Sequence, residues 1–563
     1  MNAAVIAVVV IILYILGYRY YSKFIARKIF RISDDEVTPA HEQNDGVDYL
    51  PTNKHVLFGH HFASIAGAAP IIGPAIAVFW GWLPAIIWVV LGTILMGAVH
   101  DFSALVLSVR ERGRSVGDLA EKFINHRART LFLLIVYFLI FFVIAVFAYA
   151  IASLFVAFPS SVLPVNFQII VAVIIGLLFY KKGVSILWPS IFALITLYAV
   201  IWLGAEVPLE VPAVMGSQIV TWIFLLLIYS FVASVLPVWV LLQPRDYING
   251  HQLFVGLALL ILGLMVAHPQ MQAPAFNTHA EGGVPIFPFI FVTIACGAIS
   301  GFHGLVSSGT TSKQLNKMSD SRMIGYGGMI GEGTLAMVAT LAVAAGINKT
   351  EWLTHYETWD MAARGGIQNF VIGGSNFLDA LGLPEAFTQT LISVIVISFA
   401  ATSLDTATRI QRLIIGELGT AYDIKPLKNR YIGALFAVVP ALFLALLVEA
   451  PGKGPGSGGF LLWPLFGATN QLVAGLTLLV VTIYLWRAGR PVIYTLIPMV
   501  FLVIMTIASM IWNFTAFADN PLLLVLSAVI LALAVWLLLE ALFAYRSRKS
   551  SVSLPLEHES SGD

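Results

Sequence analysis

Apolar runs of about twenty residues recur along the whole chain, separated by short polar connections. Twenty is the number an α-helix needs to cross the hydrocarbon of a bilayer. About fifteen runs can be placed, at approximately 3–18, 55–80, 82–109, 130–157, 165–180, 184–204, 216–242, 248–267, 285–312, 323–346, 386–408, 430–449, 460–486, 491–513 and 521–545. Barrel strands are half as long, and only helices and closed barrels pair every backbone group in lipid. The chain therefore reads as an all-α polytopic membrane protein. Charged residues make up 11% of the 563, well below the roughly one quarter of soluble domains. The first run ends in "YRYYSKFIARKIFR" and reads as a retained span, not a cleaved signal. With one cysteine, Cys296, neither an intrachain disulfide nor a cysteine-based metal site can form.

The connections carry the orientation. "RYYSKFIARKIFR", "RERGRSVGDLAEKFINHRAR", "YKKG", "QPRDY", "SKQLNKMSDSR", "RIQRLIIGELGTAYDIKPLKNR", "RAGR" and "YRSRKS" are basic and fall at every second connection. Those between them are neutral or acidic, among them "GAEVPLEVPAVMG" and "NFTAFADNP". Positive-inside bias then puts the amino terminus outside and the carboxyl tail, 546–563, in the cytoplasm. The one long insertion, Asn348 to Glu385, falls outside.

Three spans carry helix breakers: the second has "GAAPIIGP", the seventh "SFVASVLPVW", the ninth "CGAISGFHGLVSSGTT". Glycine and proline weaken or remove helix hydrogen bonds, and such breaks survive in a membrane only against protein or a wet cavity. Spans two and seven are an odd number apart, so they run in opposite directions. That fits a five-plus-five inverted repeat of spans 2–6 and 7–11, residues 55–410, with its broken first helices meeting at mid-membrane. Residues 1–54 would precede this core, and helices over 411–545 would follow it.

A broken helix exposes the amides and positive dipole end of its second half, which can hold an anion. No lysine or arginine falls mid-span in this reading, so a carboxylate would rest on backbone amides, hydroxyls or histidine. The expected substrate-binding residues are Gly67, Ala68, Ala69, Pro70 and Gly73 at the first break, with Ser234 and Pro237 at the other. Ionisable residues within spans are functional candidates, and histidine titrates in the range proton coupling needs. The expected ion-coupling residues are His60, His61, Asp101 and Glu332, with the Ser307 and Ser308 hydroxyls suited to a small cation. His303 lies within the ninth-span break, and Asp405 is expected to pair with Arg409 at i+4. Nothing in the sequence indicates an enzyme, a cofactor, a bound metal or a nucleic-acid partner. The expected partners are a small solute, H⁺ or Na⁺, and the lipid bilayer.

The long block from "NKHVLFGHHFASIAGAAPIIGPAIAVFWGW" to "RERGRSVGDL" resembles the amino-terminal signature of the carbon starvation (CstA) family. "SGFHGLVSSGTTSKQL" and "LFGATNQLVAGL" resemble later family blocks. The resemblance implies a bacterial inner-membrane secondary transporter with a LeuT-like five-plus-five core, for peptides or for pyruvate with a proton. A channel would want rings of like residues around a pore. An antiporter-like subunit of a respiratory complex would want mid-membrane lysines.

Overall fold

The computed structural model describes residues 1–46, 48–182, 187–237, 240–277, 284–450 and 454–546. All regular elements among them are helices, with only isolated β-bridges between loops. α1 (Ala3–Ile29) precedes a broken pair, α2 (Lys54–Ile65) and α3 (Ala69–Trp80), bent by 49°. Next come α4 (Trp82–Arg110), a short amphipathic α5 (Val116–Phe123) and α6 (His126–Ala157). The hairpin α7 (Val162–Lys182) and α8 (Leu187–Glu206) leads to α9 (Gln218–Val235) and α10 (Leu242–Ala267). A second broken pair follows, α11 (Ile286–Thr293) and α12 (Gly301–Gly309), and then α13 (Arg322–Ala345). The rest is α14 (Lys349–His355), α15 (Trp359–Asp379), α16 (Glu385–Ala421), α17 (Arg430–Leu447), α18 (Trp463–Arg487), α19 (Ile493–Ala516) and α20 (Pro521–Arg546). Twelve helices are singly long and apolar enough to cross a membrane, and α2–α3 is so as a bent pair. With the shorter α8 and the split α11–α12, every expected apolar run has its helix. Side-chain caps set where spans begin: Asn53 accepts from the His55 amide at α2, and Asn125 from Ala128 at α6. Each replaces a partner that a helix start lacks.

α6 and α16 cross at the centre of the bundle. Around them the packing repeats. α10 lies on α2 and α16 as α18 lies on α12 and α6; α9 packs on α6 as α17 packs on α16; α4 faces α13. Two five-helix sets are thus related, α2/α3, α4, α6, α9, α10 and α11/α12, α13, α16, α17, α18, with α7–α8 inserted in the first. The fold is the LeuT-like inverted repeat.

Several expectations need correction. The second broken span is the ninth, not the seventh. α9 runs unbroken to Val235, and Leu236 turns extended at ψ 151° because a following proline disfavours helix. The apolar run 216–242 is therefore one whole span plus the entry to α10. The helices that close the centre extend to α18, beyond residue 410. The insertion Asn348–Glu385 holds α15, whose inner face is buried against α3 and α13. Gly366 and Gly373 make that packing possible: a Cβ on Gly373 would fall 2.1 Å from the Ala342 carbonyl oxygen. The first basic connection is the helical end of α1, and the long one before α17 begins as the end of α16. "QPRDY" is the start of α10, where Pro244, Arg245 and Asp246 are buried. Its Arg245, 2% exposed, pairs with Asp405, so Asp405 does not pair with Arg409. Arg409 instead donates to the carbonyls of Ala233 and Leu236 at the end of α9. Apart from Arg546, the expected tail lies outside the described residues.

Candidate functional site

The two breaks face each other. α2 ends at Ile65, α3 restarts at Ala69, and residues 66–68 between them are non-helical. On the other side, residues 294–300 separate α11 from α12. Between them lies a cavity of about 20 Å³, room for about one water. Gly67, Ala69, Pro70, Cys296, Ser300 and His303 line it, with Phe147 of α6, Ser403 of α16 and Phe466 of α18. Both restarting half-helices bring their amino-terminal, positive ends to this point. They are not equivalent. The Phe302 amide at α12 is already taken by Asn470 Oδ1 at 3.1 Å. At α3 the amides of Ile71 and Ile72 bond back to Ala68, and those of Ala68 and Ala69 have no acceptor among the described residues. Of the two breaks, the one with open amides is therefore that of α3.

Beside the cavity the structure buries a chain of ionisable groups. His303, in the first turn of α12, bridges two carboxylates. Its Nδ1 is 2.9 Å from Asp101 Oδ2 on α4, and its Nε2 is 3.1 Å from Glu332 Oε2 on α13. The first contact is a hydrogen bond; the second is close but not aligned as one. Asp101 Oδ1 also meets His100 Nδ1 at 2.8 Å. Glu332 Oε1 accepts from the Gly297 amide at 3.0 Å. All four residues are fully buried. Buried charge is tolerated only when paired and hydrogen-bonded, and three helices contribute to that pairing. A histidine between two carboxylates can hold or pass on a proton without leaving either acid stranded.

The local sequence explains the placement. Gly297 has φ +92°, which a side chain disfavours, and this turn aims its amide at Glu332. Its carbonyl accepts from Thr93 Oγ1 at 3.0 Å, at a π-helical turn in α4 over Thr93–Gly97. Such turns are frequent at functional sites. Asn470 holds both the Phe302 amide and the Ser300 hydroxyl. Gln471 holds the Phe291 carbonyl at 2.7 Å.

Of the expected residues, Gly67 and Ala68 lie in the first break, and Ala69 and Pro70 open α3 directly after it. Gly73 lies farther along α3, where a Cβ would fall 2.3 Å from the Thr293 carbonyl oxygen. It is where α3 and α11 touch. Ser234 and Pro237 lie at the end of α9; Ser234 bonds to the Phe231 carbonyl, Pro237 is exposed, and neither lines the cavity. Asp101 and Glu332 meet through His303, which the sequence marked only as lying in a break. His61 is buried, its Nδ1 2.9 Å from Thr311 Oγ1. The His60 carbonyl accepts from Ser64. Ser308 is occupied structurally, donating to the Gly304 carbonyl and accepting from the Val116 amide, while Ser307 is buried without a partner among the described residues. No cluster of three or more His, Cys, Asp or Glu suited to a metal occurs among the described residues. Asn470 was missed. The signal was a Thr-Asn-Gln run inside an otherwise apolar span.

The family model described as "Carbon starvation protein CstA" matches residues 2–355 and 352–509. The chain belongs to the CstA family. A Helicobacter pylori relative named "Peptide transporter CstA" is 32% identical, covering 91% of this chain and 82% of its own length. A Mycobacterium tuberculosis relative of the same name is 35% identical over 87% of this chain and 72% of its own. An Escherichia coli relative named "Pyruvate/proton symporter BtsT" is 31% identical over 92% and 82%. A solved manganese transporter of Eremococcus coleocola has the same fold, with a TM-score of 0.53 at 12% identity, covering 89% of this chain and 99% of its own. This CstA-family chain is thus a multi-pass inner-membrane secondary transporter.

The first break yields a steric expectation. A Cβ on Gly67 would sit 2.1 Å from Ser403 Oγ and 3.3 Å from its Cβ. Gly67→Ala should therefore inhibit transport about tenfold or more, with a loss of about 1–3 kcal/mol of stability from overpacking. Gly67→Ala combined with Ser403→Gly should regain most of both, measured by uptake and thermal unfolding. Gly73→Leu is expected to separate α3 from α11 and to fail to fold, since no backbone carbonyl can yield that distance.

Proposed function

We propose that this protein takes up a small carboxylate, either a pyruvate-like acid or a peptide carrying its terminal carboxylate, together with a proton. Coupling rests chiefly on one observation, a buried histidine bridging carboxylates from two other helices beside the central cavity. The proton named for the Escherichia coli relative supports it. The substrate's carboxylate sits at the open amides of Ala68 and Ala69, an anion site made from helix ends, as broken helices provide in other transporters. Sodium is the weaker alternative, because Ser308 of the expected hydroxyl pair already has two partners.

The deciding experiment is uptake by proteoliposomes containing this protein alone, with pyruvate, lactate, short peptides and the corresponding amides. Accumulation of an acid driven by an inward proton gradient, with no dependence on sodium, is the expected result. Accumulation that follows sodium and ignores the proton gradient would overturn the coupling. Equal uptake of acid and amide would move the anion site away from the first break.

The proposed orientation keeps the basic connections inside, so the amino terminus is outside and the carboxyl terminus cytoplasmic. In a Cys296→Ser background, a cysteine at exposed Met215 should react with an impermeant maleimide in intact cells, and one at Lys425 only after lysis. The reverse pattern would invert the topology.

A further inference from the structure

A second cavity, of about 1030 Å³, shares no lining residue with the one between the breaks. It is a groove on the lipid-facing flank, between α1 and the start of α13, floored in part by Phe58 of α2 and Ile261 of α10. Along one part its walls are apolar, with Ile11, Ile15, Ile261 and Ile330. At the other end four basic side chains converge: Arg19, Lys23 and Arg27 from α1, and Arg322 from α13. The three on α1 follow at every fourth residue. The π-helical turns at Gly17–Tyr21 and Ile25–Ile29 widen the coil there, which keeps them in one line. At 1.5 Å per residue, Arg19 lies about 24 Å from the start of α1, near where a helix leaves a hydrocarbon layer roughly 30 Å thick.

None of the four has a carboxylate ion-pair partner among the described residues. Arg322 is held over the Tyr18 ring at 5.0 Å. The groove's one acid, Asp34, accepts from the Ser319 amide at 2.8 Å and from its hydroxyl at 2.9 Å. Those bonds hold its carboxyl below the ordinary range, so it stays charged but is spent on Ser319. The groove thus keeps three net positive charges at the membrane surface, beside an apolar channel along the bilayer.

We propose that this groove is a binding site for an anionic phospholipid, with the headgroup phosphate among Arg19, Lys23, Arg27 and Arg322 and an acyl chain along Ile11, Ile15, Ile261 and Ile330. The combination is what selects the ligand. A free anion would use only the basic end, and a lipid without net charge gains less there, because its own cation offsets its phosphate. Basic pockets between membrane helices recognise such headgroups. α1 also packs on α13, which carries Glu332, so the bound lipid buttresses a helix of the proton relay.

Native mass spectrometry of the purified full-length protein tests this, with phosphatidylglycerol and phosphatidylcholine of identical acyl chains. Wild type should hold phosphatidylglycerol more tightly by on the order of tenfold to a hundredfold. Arg19→Gln/Lys23→Gln/Arg27→Gln should bring the two lipids to parity, whereas Arg412→Gln/Lys425→Gln/Lys428→Gln, a basic cluster elsewhere, should leave the preference intact. Ile15→Trp should weaken both lipids by filling the channel. Size exclusion and thermal unfolding of each variant confirm that the exposed substitutions fold. Equal binding of the two lipids by wild type would overturn the proposal, as would an equal loss in the control triple. So would full competition by inorganic phosphate at matched concentration, which would make this a soluble-anion site. A dimer that Ile15→Trp dissolves would instead assign the groove to a second copy of the chain.

Discussion

His303→Gln is expected to abolish proton-driven accumulation, to below about one tenth of wild type, while exchange of labelled for unlabelled substrate continues. Glutamine fills similar space but cannot carry a proton between Asp101 and Glu332. The substitution also leaves two carboxylates facing each other in a dry site, so stability should fall by about 3–5 kcal/mol, as when one partner of a buried ion pair is removed. The triple variant Asp101→Asn/His303→Gln/Glu332→Gln separates the two effects. With no charge left to desolvate, it should regain most of the thermal stability and none of the accumulation. Normal accumulation in His303→Gln would remove the histidine from the proton path. Recovery of accumulation in the neutral triple would show that the cluster only supports the fold.

The second large effect concerns the buried pair away from the breaks. Arg245 binds Asp405, and the Tyr229 hydroxyl lies 2.7 Å from Arg245 Nη1 and 2.9 Å from Asp405 Oδ2. Asp405→Ala strips a buried arginine of its main partner and should cost about 3–5 kcal/mol. Arg409→Gln should cost about 1–2 kcal/mol, because that side chain only caps two carbonyls at the end of α9. Thermal unfolding in a single detergent compares them. Equal losses would return Arg409 as the partner of Asp405.

The contrast between Arg245 and Arg409 shows what a sequence conveys and what it withholds. Apolar runs, basic connections and the "GAAPIIGP" break are local properties, so the helices and the first break were legible. The charge-pair assignment failed because i, i+4 proximity along one helix competed with a partner 160 positions away, which only packing brings near. The seventh-span break failed because Pro237 ends a helix as readily as it interrupts one. Asp101 and Glu332 stood out as acids in apolar runs, but their union required His303, which approaches them only when α12 restarts at the right height. Nor could composition show that α15 is buried: its glycines look like a polar loop and act as a close-packing surface.

One backbone unit carries a further consequence. The Gly297 amide holds Glu332 and its carbonyl holds Thr93, so the loop that separates α11 from α12 hangs on the same carboxylate that faces His303. A proton arriving on that acid weakens its grip on the amide, and a displaced loop alters the acid's hunger for a proton. Thermodynamic reciprocity then requires that whatever factor the proton adds to substrate affinity, the substrate adds to proton affinity. Transport stoichiometry in this fold can therefore be approached at equilibrium, from the pH dependence of substrate binding alone, without a membrane or a gradient.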